Sequence, residues 1–217
     1  MAVRSTFPGR QTDRIVDLGG RPTKIGAPSE KVSIPLGRKE WHPSPLLEQL
    51  TLVTTVDREG RANIAPKASV CVAAVKTPLI GFACSKKHRT WANIEATREF
   101  VVNVPDLHVA ESAWKMAEHK DPVARDMRMF GLTPAASLKV RPPRVEEARA
   151  HLECRLESFK EIGNEVFIFG EVVEAAMDRA ALAGPPLRQY RYLHPAVFLE
   201  KHLYAGLGGV YDAGDGD

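Results

Sequence analysis

The sequence predicts a mainly-β protein: one β-barrel domain with helical insertions. Six or so segments between Leu50 and Ala175 are rich in β-branched residues or alternate between apolar and polar residues. Most of these segments are close enough in the chain to pair as antiparallel neighbours, and no solenoid repeat is visible. The 217 residues are 44% hydrophobic and 26% charged, and one barrel can account for most of that length.

The first strands lie between residues 50 and 84. Residues 50–57 are rich in β-branched residues, and Arg58-Glu59-Gly60 predicts a turn into a return strand at Ala62–Ala65. Pro66 interrupts this return strand, because proline lacks the N–H that a ladder needs, so this point is expected at a sheet edge or a bulge. Two more strands are predicted at 68–75 and 79–84.

The hydrophobic period then changes to that of a helix. Residues 90–97 predict a short helix with Thr90 as its N-cap, and residues 107–119 predict another. Residues 122–130 are consistent with a third helix, ended by Gly131.

The remaining strands are one between the helices and two after them. Residues 99–105 form a strand that ends at a proline. Residues 151–160 and 165–175 alternate strongly and are joined through Gly163-Asn164, which predicts a hairpin. The antiparallel strands and the few helices together give the predicted barrel.

The segments outside the barrel differ in composition. Residues 1–40 contain nine Gly or Pro and eight Lys or Arg against four Asp or Glu, so we expect an irregular, basic arm. A DNA-binding arm is disfavoured because a dense basic run is missing. The domain organisation expected is thus an arm at 1–40, a barrel at 41–205 and an acidic, Gly-rich tail at 206–217.

Several function classes are not expected. The longest apolar runs are six residues, whereas a membrane span needs about twenty. The phosphate-loop, nucleophile-elbow, metalloprotease and dinucleotide-binding motifs are missing, and the histidines are not spaced to bind a metal. A net charge of only +3 does not by itself indicate a nucleic-acid partner, and the histidine spacing leaves no metal expected.

The cysteines bear on the compartment. Cys71, Cys84 and Cys154 are odd in number and lack CxxC spacing, so we expect three buried thiols in a reducing compartment. The first residues also lack the apolar run of a secretory signal. A cytoplasmic protein is therefore expected.

One segment has the composition of a phosphate site. Ser85-Lys-Lys-His-Arg-Thr-Trp-Ala-Asn93 lies between a strand end and a helix start, where free backbone N–H groups and the helix dipole favour an anion. Ser85 and Thr90 offer hydroxyls, and Arg89 offers a guanidinium that matches phosphate oxygens. A solvated basic turn, in which Thr90 only caps a helix, is an equally good interpretation of the spacing.

A second segment, Asn63-Ile-Ala-Pro-Lys-Ala-Ser69, exposes backbone polar groups at an interrupted strand. Such a backbone can bind the edge of a flat polar heterocycle. Taken alone, the segment is better explained as a β-bulge that bends a barrel strand.

Taken together, these motifs resemble the flavin reductase-like, FMN-binding split β-barrel family. The resemblance covers about Pro45 to Val173. It rests on the pattern from Val53 through Asn63 to Ser69, on Ser85, Thr90 and Asn93, and on Glu99-Phe-Val-Val-Asn103, followed by Phe130-Gly-Leu-Thr-Pro134, Leu152-Glu-Cys154 and Gly170-Glu-Val-Val173. Residues 1–40 have no counterpart, and the part after Ala180 resembles the family only loosely.

The resemblance implies an antiparallel Greek-key split barrel and specific cofactor residues. The FMN phosphate would lie near Ser85, Arg89, Thr90 and Asn93. The ring edge would be held by backbone around Ala65, Pro66, Lys67, Ala68 and Ser69, with Asn63 orienting that loop. The family is typically a homodimer with FMN at the subunit interface. His194, His202 and Tyr204 are candidates for a nicotinamide or substrate pocket, although a structural role is favoured for each.

The implied function is hydride transfer from NADH or NADPH to flavin, either to reduce free flavin for a partner monooxygenase or to reduce another acceptor through tightly bound FMN. Hydride transfer between stacked rings requires no side-chain acid or base, so no catalytic residue is assigned. Two alternatives stay open: an FMN-binding protein for electron transfer or storage that does not turn over NAD(P)H, and a flavin-free split barrel that binds another small ligand such as haem.

Overall fold

The computed structural model describes residues 33, 46–119 and 126–207. All of these except Ser33 belong to one compact unit, His42–Asp217. The arm predicted at 1–40, apart from Ser33, and most of the tail predicted at 206–217 lie outside the described residues. Their boundaries therefore stay predictions.

The described residues form twelve strands and four α-helices. The strands are β1 Glu48–Gln49, β2 Thr51–Val56, β3 Ala62–Lys67, β4 Cys71–Ala74, β5 Leu79–Ser85, β6 Glu99–Pro105, β7 Pro134–Ala135, β8 Arg144–Val145, β9 Ala148–Ile162, β10 Glu165–Met177, β11 Val197–Glu200 and β12 Leu203–Ala205. The helices are α1 Arg89–Thr97, α2 Ala110–Glu118, α3 Arg179–Leu182 and α4 Pro186–Leu193, with 3-10 turns at Leu107–Val109 and Met127–Phe130.

Seven strands make one antiparallel sheet in the order β3-β2-β6-β9-β10-β5-β4. The long β9–β10 hairpin forms its centre and turns at Gly163, whose φ of +58° is a conformation that glycine adopts without strain. β1, β11 and β12 form a smaller sheet, and β7 pairs with β8. The predicted mainly-β, antiparallel fold with a few helices is confirmed.

The main sheet separates two hydrophobic cores. Residues on β2 alternate between them, since Val53 packs in one cluster and Leu52 in the other. The first core contains Phe82 and Phe100 and receives Trp91 and Ile94 from α1. The second packs α2 and the Met127–Phe130 turn against the opposite face. All six β2 side chains are buried as a result.

The two edges of this sheet come together. β3 is one edge, while β5 and β4 form the other. Even so, the Ser69 hydroxyl accepts a hydrogen bond from Ala83 N at 3.1 Å, and Lys67 Nζ lies 3.5 Å from Cys84 Sγ. The sheet must therefore curl until the end of β3 meets β5, which is the closure that a barrel requires.

Several predicted elements differ from the structure in detail. β3 runs through Pro66 in regular register with β2, so the predicted interruption is wrong, while the predicted edge position is confirmed. Proline is tolerated there because an edge strand needs ladder bonds on one side only. The strand predicted at 68–75 begins only at Cys71. In the region predicted as a 122–130 helix, the described part contains only the 3-10 turn, ended by Gly131 with φ +72°.

The cysteines follow the prediction only in part. All three are free, and Cys84 and Cys154 are buried. Cys71 is exposed, because β4 forms a sheet edge whose first three residues are all exposed. The prediction of three buried thiols is therefore wrong for Cys71. Among the described residues, no helix is both long enough and apolar enough to span a membrane.

Candidate functional site

Four buried polar side chains meet where α1 begins, and we call them the site cluster: Thr55, Asn63, Thr90 and Asn93. The Thr55 hydroxyl oxygen accepts hydrogen bonds from Asn93 Nδ2 at 2.9 Å and from Asn63 Nδ2 at 3.4 Å. Asn63 Nδ2 also lies 3.5 Å from Thr90 Oγ1. Thr55 is opposite Asn63 in the β2–β3 ladder, so the strand register itself sets this contact.

The start of α1 differs from the prediction. His88 is the N-cap, and its side chain makes no capping hydrogen bond, so the prediction of Thr90 as N-cap is wrong. Thr90 is the second helical residue and is buried, with its hydroxyl in the site cluster. The N–H groups of Trp91 and Ala92 both donate to His88 O, at 3.0 and 3.3 Å.

The turn that leads into α1, taken with the first helical residue Arg89, is strongly basic, and we call residues 85–89 the basic turn. Its backbone is fixed by His88 N donating to Ser85 O at 3.0 Å, while Lys87 N donates to the Ser85 hydroxyl at 3.3 Å. Lys86 pairs with Glu161 on the β9–β10 hairpin. Arg89, half-buried, is the first helical residue and lies at the positive end of the helix dipole.

The second predicted segment forms an accessible edge beside this turn. Ala65, Pro66, Lys67, Ala68 and Ser69 are all half-buried, and we call them the edge segment. In the described part of the chain, β3 pairs with β2 only, so the ladder groups on its other edge are not used by a neighbouring strand. Alternation puts Ala65 and Lys67 on the same face of β3 as Asn63.

A cation, a thiol and an imidazole connect the edge segment to the basic turn. Cys84 Sγ lies 3.5 Å from Lys67 Nζ and 3.9 Å from His88 Nδ1. Burial raises the pKa of the Cys84 thiol, and the nearby Lys67 ammonium opposes this rise only in part. The thiol is therefore neutral at physiological pH, and Lys67 has no thiolate partner there.

The structure thus brings the two predicted segments together. Three side-chain contacts join 63–69 to 83–93: Asn63 to Thr90, Lys67 to Cys84 and Ser69 to Ala83. The donor set is two amides, hydroxyls and basic groups, which suits an anionic group joined to a polar ring. Within 46–119 and 126–207, no group of three or more His, Cys, Asp or Glu side chains is placed to hold a metal ion.

The three candidates for a second pocket have packing contacts elsewhere. His194 ends α4 with a φ of +36° and lies close to Gly206. The His202 ring packs edge-on against Trp114 with 5.7 Å between centroids. Tyr204 lies 5.6 Å from Phe198, and burial raises the pKa of its hydroxyl.

Sequence reasoning missed Thr55 and Cys84. Thr55 was detectable in principle, because the turn at 58–60 sets a hairpin register that pairs it with Asn63. Cys84 had no such signal. Its contact with Lys67 depends on the curling of the sheet, which joins strands that are far apart in the sheet order.

Comparison with known protein families gives one domain match. The family described as "Flavin reductase like domain" matches residues 46–204, which include every residue of the site cluster, the basic turn and the edge segment. The resemblance found in the sequence motifs is thereby confirmed.

Individual relatives agree with this match. An uncharacterized protein of Aquifex aeolicus is 31% identical over 126 residues, which cover 56% of this chain and less than two thirds (64%) of the relative. The reductase subunit HsaB of a flavin-dependent monooxygenase from Mycobacterium tuberculosis is 28% identical over 70% of this chain and 77% of its own. A solved split barrel domain protein from Shewanella frigidimarina superposes with a TM-score of 0.71 at 20% identity, covering 77% of this chain and 86% of its own, which shows a shared fold.

Proposed function

Since the chain belongs to the flavin reductase-like domain family, a family of oxidoreductases, we propose that it binds FMN and transfers hydride from NADH or NADPH to flavin. One observation carries the proposal. The basic turn and the edge segment, which are separate in the chain, are connected through Cys84, whose sulfur contacts both Lys67 and His88, and Asn63 contacts Thr90 beside them. An anion site and a ring-edge site are therefore adjacent.

The phosphate would be held by the basic turn. Arg89 supplies a guanidinium, Ser85 and Thr90 supply hydroxyls, and the positive end of the α1 helix dipole favours an anion at this point. Asn93 contributes by fixing Thr55, and Thr55 fixes Asn63. These contacts prearrange the site before a ligand arrives, which lowers the entropic cost of binding.

The ring would lie along the edge segment. Backbone groups of Ala65, Pro66, Lys67, Ala68 and Ser69 are half-buried on an edge strand and suit hydrogen bonds to the polar edge of a flavin. When bound, the flavin supplies the atom that accepts the hydride. The chain orients the ring, and the Lys67 ammonium stabilises the negative charge that reduction adds.

We further propose a homodimer with the flavin at the subunit interface. β4 supports this, because it is an edge strand with two highly exposed apolar side chains nearby, Val72 at 69% and Val75 at 86% exposure. A second copy covering this edge would bury them and shield the ring from water. The relative HsaB supports a partner monooxygenase as the consumer of the reduced flavin. The free cysteines are consistent with a cytoplasmic location.

An anaerobic titration tests the proposed function. The purified chain is mixed with FMN or, in a separate sample, with FAD, freed of unbound flavin, and titrated with NADH and NADPH while absorbance near the flavin band is followed. Bleaching by either nicotinamide supports the proposal. A yellow protein indifferent to both would favour electron transfer or storage, and a chain that retains no FMN and no FAD would overturn both flavin hypotheses.

A further inference from the structure

Two residues of the site contact each other directly: a lysine in the edge segment and a buried cysteine, against whose sulfur the lysine ammonium lies. Lys67 ends β3, and its Nζ lies 3.5 Å from Cys84 Sγ. The Cys84 side chain is 2% exposed and belongs to the barrel core, with Phe82 and Trp91. The sulfur is therefore fixed by packing, whereas a lysine side chain alone has several freely rotating bonds.

We propose that Cys84 is a positioning residue: it holds the Lys67 ammonium at the flavin ring and thereby sets how much more tightly the site binds reduced than oxidised flavin. This inference rests on the proposed flavin site. Cys84 itself does not contact the ring. It acts only through Lys67.

The Cys84 thiol can hold the Lys67 ammonium without cancelling its charge because the thiol is neutral. A carboxylate in this place would hold Lys67 but would cancel its charge, leaving little to stabilise reduced flavin. Burial raises the pKa of Cys84, so the thiol accepts a hydrogen bond from the ammonium without neutralising it. Glu165, on the neighbouring strand β10, adds to this rise by repelling the thiolate.

The same sulfur also connects the ring side to the phosphate side. His88 Nδ1 lies 3.9 Å from Cys84 Sγ, and His88 caps the helix that begins with Arg89. Cys84 directly precedes Ser85 in the chain. Lys67 is thus linked, through the Cys84 sulfur, to the segment that would hold the phosphate.

The test is a double-mutant cycle on the ratio of dissociation constants for oxidised and reduced FMN, obtained from the affinity for oxidised FMN and the midpoint potential of the bound flavin. The full-length chain is compared with Lys67→Met, Cys84→Val and the double variant. Lys67→Met should lower the ratio about tenfold, and Cys84→Val should lower it about threefold to tenfold. In the Lys67→Met background Cys84→Val should have no further effect, because the two residues act as one unit.

Two controls separate positioning from packing. Cys154→Val removes the other buried thiol of the same core, whose sulfur contacts Leu152 O, and should leave the ratio unchanged. Cys84→Ser retains a polar acceptor and should restore most of the ratio. Cys84→Ala replaces Cys84→Val throughout the cycle if the valine variant does not fold.

The outcomes are decisive. The positioning role is overturned if Cys84→Val leaves the ratio unchanged, or if Cys84→Val lowers the ratio equally in the parent and in the Lys67→Met background. FMN binding itself would still stand in either case. An unchanged ratio in Lys67→Met would overturn the positioning role in the same way. If the parent chain binds no flavin, the proposed function fails, and this inference fails with it.

Discussion

Adjacent threonines on β2 belong to two buried polar networks with different partners. Thr55 faces α1 and belongs to the site cluster, whose members contact one another through their side chains. Thr54 faces the opposite side and donates to Pro143 O at 2.6 Å. There it belongs to what we call the support network, formed by Thr54, Asn103, Arg144, His151 and Glu153.

The support network satisfies the backbone of the segment 138–145. Asn103 Oδ1 accepts from Val145 N at 2.9 Å, and Glu153 accepts from the N–H groups of Leu138 and Lys139 at 2.8 and 2.6 Å. Buried polar groups with backbone partners hold irregular segments in place. Buried polar side chains that contact mainly one another, beside a basic turn, are better suited to hold a ligand. The predictions below test this difference.

Glu153→Gln should give the largest effect, a loss of about 3–5 kcal/mol in the free energy of unfolding, because it leaves Arg144 without its charge partner. Urea denaturation of the flavin-free chain measures this loss. Glu157→Gln, an exposed position on the same strand β9, should change stability by less than about 0.5 kcal/mol. The folded Glu153 variant should bind FMN as the parent does. A loss below about 1 kcal/mol would contradict the support role.

Thr55→Val and Thr54→Val form a matched pair. Each removes one buried hydroxyl from one strand and should cost about 1–3 kcal/mol of stability. Only Thr55→Val should also weaken FMN binding, because Asn63 and Asn93 lose their shared acceptor. Calorimetric titration with FMN measures the difference. Equal weakening of FMN binding by both variants would contradict the assignment of ligand binding to the site cluster alone.

The smallest effect concerns pH and His151. Burial, helped by the nearby charge of Arg144, lowers the pKa of His151 below 6.5. The unfolded chain therefore binds a proton at His151 more readily than the folded chain does. The contribution of neutral His151 to the free energy of unfolding is complete above about pH 6.5 and is lost as the pH falls toward the folded-state pKa. Between pH 7 and 5, stability should fall more steeply in the parent than in His151→Gln, by at most about 1.4 kcal/mol per pH unit. Parallel curves would contradict this assignment.

Local sequence patterns predicted most of the strands and helices. They could not predict features that depend on which distant segments come together in the folded sheet. The β9–β10 hairpin followed from alternation and from Gly163-Asn164, because both signals lie within the paired segments. The break at Pro66 was wrong because whether a strand tolerates proline depends on its neighbours in the sheet. Thr90 was assigned as a cap because local sequence does not show that Asn63 would reach its hydroxyl.

The same limit applies to the candidate site. Its two segments were identified from residue types and from the family resemblance, and the structure adds that they touch. The Lys67–Cys84 contact joins opposite sides of the sheet order, and only the curled sheet creates it. The prediction that Cys71 is buried was wrong, because the apolar run that contains it forms an edge strand whose first three residues are exposed.

Whether the basic turn is a flavin phosphate site is tested by comparing FMN with riboflavin, which lacks the phosphate. Dissociation constants for both ligands are measured in the parent chain and in the combined variant Arg89→Ala, Thr90→Ala. Loss of two charge-assisted or hydroxyl contacts should weaken FMN binding about 100-fold and riboflavin binding far less. Equal losses for both ligands would contradict the assignment of the basic turn to the phosphate.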